Sequence, residues 1–146
     1  MRSADGTTVT TVADVMTRRV TSITPATSVV SARRLLHSHG FRHLPVVEDG
    51  ALIGIVSDRD VLPGVHDQAT PDHRRPVRAV MSSPVRSARP DDNLLYAVRQ
   101  MLHWKIDALP VLDRGRLVGV LTTTDCLDAL HHLIAPASTS PSADPP

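Results

Sequence analysis

The chain has 146 residues, enough for one compact domain or two small units sharing a core, but not for two independent large domains. Its 16 Lys and Arg against 15 Asp and Glu leave a formal charge of +1, which gives nucleic acid no broad basic footprint, and 41% hydrophobic residues exclude wholesale disorder. No apolar run reaches the roughly 18 residues that span a bilayer, the start MRSADGTTVT lacks a signal peptide's apolar stretch, and the single Cys126 excludes an intrachain disulfide; the expectation is a cytoplasmic protein with no membrane or nucleic-acid partner.

Residues 1–10 read as a flexible start, followed by a short helical turn from Thr11 to Met16 and an extended piece ending at Pro25. An amphipathic helix comes next, with Ser28 as N-cap, Val29, Ala32 and Leu36 along one face, and Gly40 as the residue that ends it. The stretch LPVVEDGALIGIVS then holds two apolar runs joined by Glu48-Asp49-Gly50, the signature of a β-hairpin, and a helix is expected to start at Ser57. Residues 63–76 carry three Pro, a Gly and two His and read as a connector.

The series then repeats. A helical turn from Pro76 to Met81 and an extended piece to Pro90 precede a helix with Leu94, Val98 and Met101 on one face and Leu95 and Leu102 beside them. LPVLDRGRLVGVLT gives a second hairpin around Asp113-Arg114-Gly115, and a helix from Thr122 runs to about Ile134, with Pro136 beyond it as a stop. Residues 135–146 have too little apolar content to repay the entropy of ordering and read as a disordered tail. Residues 12–62 overlie residues 77–127 at a constant offset of 65 without a gap, with 16 identities in 51 pairs, among them Met16/Met81, Pro45/Pro110, Gly54/Gly119 and Asp60/Asp125. The units are therefore repeat 1 over 11–62 and repeat 2 over 77–134, each of about 50 residues and too small to fold alone, so the two pack together.

GFRHLPVVEDGALIGIVSDRDVL in the first copy and KIDALPVLDRGRLVGVLTTTDCL in the second resemble the CBS domain family. The resemblance implies an α/β (α+β) fold of two βαββα repeats packed sheet to sheet about a pseudo-twofold axis. It also implies clefts that hold AMP, ADP, ATP or S-adenosylmethionine, with a homodimer formed through the exposed helices.

The residues give that chemistry a physical basis. A helix starting at Ser57 would aim free N–H groups and the positive end of its dipole at a phosphate, and the Asp60 carboxylate could accept from both hydroxyls of a ribose. Gly54 would allow close backbone approach. Ser57-x-x-Asp60 and Thr122-x-x-Asp125 are equally capping boxes, which satisfy the donors of a helix start, and the two roles can coexist. By the resemblance, an adenine slot would be formed by Ile23 with Arg42, His43, Leu44 and Pro45, and by Ala88 with Asp107, Ala108, Leu109 and Pro110. Leu44 and Leu109 are equally core candidates.

Arg42 and Arg59 stand where the second copy has Asp107 and Thr124, which favours a phosphorylated ligand in the first cleft. The eight histidines show no metal-ligand spacing, no required cofactor is expected, and there is no GxSxG elbow, Walker A loop or ordered triad. The sequence therefore reads as a regulatory nucleotide-binding pair acting on an unknown effector protein rather than as an enzyme, with an interaction scaffold or stress-response protein as the alternative.

Overall fold

A computed structural model describes residues 6, 8–63, 71 and 73–135. Most of the expected flexible start, much of the connector and the tail beyond residue 135 lie outside the described residues. Helix α1 (Val29–His39) starts where the Ser28 side chain accepts from the Ser31 N–H, and it ends at Gly40, whose left-handed φ of 67° lets its N–H return to the Leu36 and His37 carbonyls. It buries Val29, Ala32 and Leu36, the face read from the sequence.

Helix α2 (Leu94–Trp104) is capped by Asn93 and buries Ala97 and Met101. Leu95 and Leu102, expected beside that face, are 57% and 73% exposed. Each follows a core-facing residue by one position, and so is turned about 100° away from the core. Helix α3 (Thr123–Ile134) begins at the Thr122/Asp125 capping box.

The hairpins are β1 (His43–Glu48) with β2 (Ala51–Ser57), and β3 (Ala108–Asp113) with β4 (Arg116–Thr122). Both are antiparallel and carry a bulge at the same place, after Val46 in the first and after Val111 in the second. Glu48 pairs with Ala51 and Asp113 with Arg116, so the turns are two residues long rather than three. Asp49-Gly50 and Arg114-Gly115 both take positive φ, 50° then 80° in each, as a two-residue turn that matches strand twist requires. Parallel bridges add Ile23 beside Val46 and Ala88 beside Val111, which supplies the short strand that precedes each helix. The two hairpins meet through β2 and β4.

The helix expected at Ser57 does not form. Residues 58–61 make turns, with the Leu62 N–H reaching only to the Arg59 carbonyl. Pro63 is the physical reason: it has no N–H to continue the ladder and pushes Leu62 out of the helical region. At the position equivalent to Pro63 the second copy has Asp128, and there α3 continues.

The two copies exchange their leading turns. The 3₁₀ turn Val12–Asp14 puts Val12 and Met16 into the core built by Ala97, Met101, Leu109, Val111 and Leu121 of the second copy. The turn Val77–Ala79 puts Val77 into the core of Val29, Leu36, Leu44 and Val56 in the first, with Met81 packed against it. The backbone bonds are copied at the same offset of 65: Val12 donates to Asp92 and Val77 to Thr27, while Leu94 donates to Thr10 and Val29 to Arg75. Thr17 then pairs with Val120 on β4, and Ser82 with Ile55 on β2. Gly54 and Gly119 have their place here. A side chain at Gly54 would strike Met81, and one at Gly119 would come within 2.8 Å of both the Met16 sulfur and the Thr17 carbonyl. The close approach that Gly54 permits is that of the exchanged turn.

Candidate functional site

Two clefts related by the same offset open where the copies meet. The first, about 330 Å³, is lined by Ser57, Asp58, Arg59 and Asp60, by Ser82–Arg86 without Ser83, and by Lys105–Ala108. The second, about 260 Å³, is lined by Thr122, Thr123 and Thr124, by Thr17 and Arg19–Thr21, and by Gly40–His43 with Pro45. Both volumes lie near the lower end of the roughly 300–1,000 Å³ usual for small-molecule sites.

Each cleft thus joins the Ser/Thr-x-x-Asp segment of one copy to the strip before the hairpin of the other; Arg42, Ser57 and Asp60 line the first cleft together, and Ile23 does not join them. Arg42, His43 and Asp107 line both clefts. The contrast between Arg42 and Asp107 therefore does not separate the clefts. Their backbone carbonyls are equivalent anchors, since Arg42 accepts from the Asp58 N–H and Asp107 from the Thr123 N–H, both at 2.9 Å.

Ile23, Leu44, Leu109 and Pro110 are buried, and none of them lines either cleft. Ala88 and Leu109 instead border a groove between α2 and the tip of the second hairpin. Pro45 belongs to the second cleft and Ala108 to the first.

The capping boxes are fully formed. The Ser57 N–H donates to Asp60 Oδ2 at 2.8 Å and the Thr122 N–H to Asp125 Oδ2 at 2.9 Å, with the hydroxyls accepting in return at 3.3 and 3.1 Å. The Asp125 Oδ1 also accepts from the Thr17 hydroxyl at 2.9 Å, so protein donors engage both of its oxygens. Asp60 lines its cleft and Asp125 does not.

Charge separates the clefts further. Arg59, Arg86 and Lys105 of the first stand where the second has Thr124, Thr21 and Gly40, while Arg19 of the second stands where the first has Pro84. Arg42 pairs loosely with Asp58 at 3.6 Å, both side chains being about half exposed. Burial holds His43 below its ordinary value, against the opposing pull of Asp107, Asp58 and Asp60 and with a smaller push from Arg42. Arg86, Lys105 and the Thr17–Thr21 strip escaped sequence reasoning because they lie between elements, where no periodicity marks them.

The family model described as CBS domain matches twice, over residues 12–67 and 77–132. The chain belongs to the CBS domain family. It is 34% identical over 114 residues to the CBS domain-containing protein YhcV of Bacillus subtilis (strain 168), a match covering 78% of this chain and 81% of that protein. It is also 35% identical over 118 residues to a homoserine O-acetyltransferase of Methanococcoides burtonii, but there the match spans 80% of this chain and only 23% of the enzyme.

Among solved structures, CBSX2 in complex with AMP is similar at a TM-score of 0.72 and 34% identity, covering 82% of this chain and 95% of that one. The CBS domain pair of protein MJ0100, in complex with 5′-methylthioadenosine and S-adenosyl-L-methionine, has a TM-score of 0.74 at 25% identity, covering 84% and 97%. Tandem CBS units of mixed α/β structure are thereby shown. Among the described residues no helix is long and apolar enough to cross a membrane.

Proposed function

We propose that the chain is a regulatory CBS pair that binds an adenosine ligand, a phosphorylated one in the first cleft, and passes its occupancy to a partner protein without catalysing a reaction. The observation that carries this reading is the first cleft itself, where the Ser57/Asp60 box and the cations Arg59, Arg86 and Lys105 line one cavity. Hydroxyls and a carboxylate suit a ribose, and cations with Arg geometry suit phosphate. AMP, ADP, ATP and S-adenosylmethionine share the adenosine half that such a cleft would read, and the structures similar to this chain with AMP or S-adenosylmethionine bound support that ligand class.

A homodimer through α2 and α3 belongs to the same proposal. Leu95 and Leu102 on α2, and Leu127, Leu130 and Ile134 on α3, are 47–73% exposed, an apolar surface that association would remove from water. On α1 the counterpart of Leu102 is His37, so the second copy is the one that offers this surface.

The alternative, a scaffold whose clefts stay empty, is favoured in the second cleft by the full engagement of the Asp125 carboxylate. A thermal-shift panel of AMP, ADP, ATP and S-adenosylmethionine against wild type, Asp60→Ala and Asp125→Ala decides between them. Each shift is measured from the variant's own melting temperature, because both substitutions also remove a cap. A ligand at about 100 times its Kd should add about 2.7 kcal/mol to the wild type. That gain should shrink in Asp60→Ala, and absence of any shift in the wild type would leave the scaffold reading.

A further inference from the structure

We propose that Arg86 selects phosphorylated over unphosphorylated adenosine ligands in the first cleft, with Trp104 as its positioning residue. This rests on reading that cleft as an adenosine-nucleotide site. Arg86 lies on the strip that enters with the exchanged turn, and it lines the cavity together with Ser57, Arg59 and Lys105. Its Cζ sits 3.3 Å from the centroid of the Trp104 ring, at the end of α2. Among the described residues no carboxylate pairs with it.

A guanidinium lying over an indole uses its face for the ring and keeps its in-plane N–H donors free at the edge. That edge is the part that grips phosphate in a two-pronged fashion. A free arginine must surrender side-chain freedom when it closes on a ligand, and one already resting on an aromatic surface surrenders less. The charge contributes little to a neutral base and ribose, and strongly to a phosphate, so its effect falls on the difference between the two.

The second cleft has no such pair. Thr21 stands at the place of Arg86 and His39 at that of Trp104, and His39 stacks instead on Phe41 at 5.3 Å. Phosphate selection by a platform-held arginine is thus confined to one of two clefts that share a backbone plan.

Trp104 is the only tryptophan, so its emission reports directly on the Arg86 stack. The full chain is titrated with adenosine, AMP, ADP and ATP, by calorimetry for affinity and by intrinsic fluorescence for the stack. In the wild type the phosphorylated ligands bind more tightly than adenosine and alter Trp104 emission, which adenosine leaves nearly unchanged.

Arg86→Gln should cut the ratio of phosphorylated-ligand to adenosine affinity about tenfold, in line with the loss of one charged hydrogen-bonding partner, and leave adenosine affinity intact. Arg86→Lys keeps the charge but loses the planar fork, and should fall between. Trp104→Phe, followed by calorimetry, should lower the ratio without lowering adenosine affinity or the melting temperature by a comparable measure, which a merely structural role would not do. An unchanged ratio in Arg86→Gln overturns the selection by Arg86, and an unchanged ratio in Trp104→Phe overturns the positioning role. If the wild type binds none of the four ligands, the reading of the cleft as a nucleotide site fails, and this inference with it.

Discussion

The first and second clefts are built on one plan and equipped in opposite ways. The second has a complete helix behind its Thr122 box, with the positive dipole end that this brings, but Arg19 is the only lining cation it does not share with its neighbour. The first has the same box with no helix behind it, and instead gathers Arg59, Arg86 and Lys105. The two copies share a backbone, down to paired hydrogen bonds at a fixed offset, while a helix start lines one cleft and cationic side chains line the other. Similar geometry therefore does not imply similar ligands.

If the scaffold is symmetric and the cleft chemistry is not, core substitutions should cost the same in both copies. Leu44→Ala and Leu109→Ala remove equivalent buried side chains, and each should lower unfolding free energy by about 2–5 kcal/mol in urea melts. A loss confined to one copy would break the symmetry at its base.

At the exchanged turns the two copies should differ in degree. Gly119→Ala and Gly54→Ala should each cost about 1–3 kcal/mol through overpacking. Gly119→Ala should be the worse of the two, because a Thr17 carbonyl stands in its way whereas Gly54 meets chiefly the flexible end of Met81. Equal urea midpoints would contradict that ordering.

A smaller difference is expected at the boxes. Thr122→Ala uncaps a 12-residue helix and should cost about 1 kcal/mol. Ser57→Ala, with only turns behind it, should cost measurably less when the two melts are compared.

The smallest effect is a pH dependence that belongs to His43, whose counterpart is Ala108. Burial lowers its pKa from 6.5, so the unfolded chain binds the proton more readily and stability rises with pH through that region. The contribution is present above about 6.5 and is lost as pH falls toward the folded value. Between about pH 7.5 and about pH 5.5 the wild type should lose more urea resistance than His43→Gln, and parallel losses would remove His43 from the account.

Much of this was legible in the chain because local chemistry decided it. Ser28 and Gly40 bracket α1 as their side-chain oxygen and missing Cβ dictate, and the Gly50 and Gly115 turns fix both hairpins. The exchange of Val12 and Val77 was not legible, since an apolar turn shows that it will be buried but not against which copy. The missing helix after Ser57 is written in Pro63, where the second copy has Asp128.

Ser57 and Asp60, expected from their motif, and Arg59, expected from the contrast between the copies, line the first cleft together. Arg86 and Lys105 were not legible, because they reach the cleft only once the copies have packed. Lys105 also ends α2 in the left-handed conformation with φ 54°, a place where sequence reasoning looks for glycine.

The most direct test of the central claim is calorimetric titration of ADP into the wild type, Arg59→Ala and Thr124→Ala. Those two residues occupy equivalent places in the two clefts. ADP should bind the wild type, with affinity that Arg59→Ala weakens about tenfold and Thr124→Ala leaves near the wild-type value. Unchanged affinity in Arg59→Ala, or a loss on the Thr124 side alone, would contradict the assignment of the phosphorylated ligand to the first cleft.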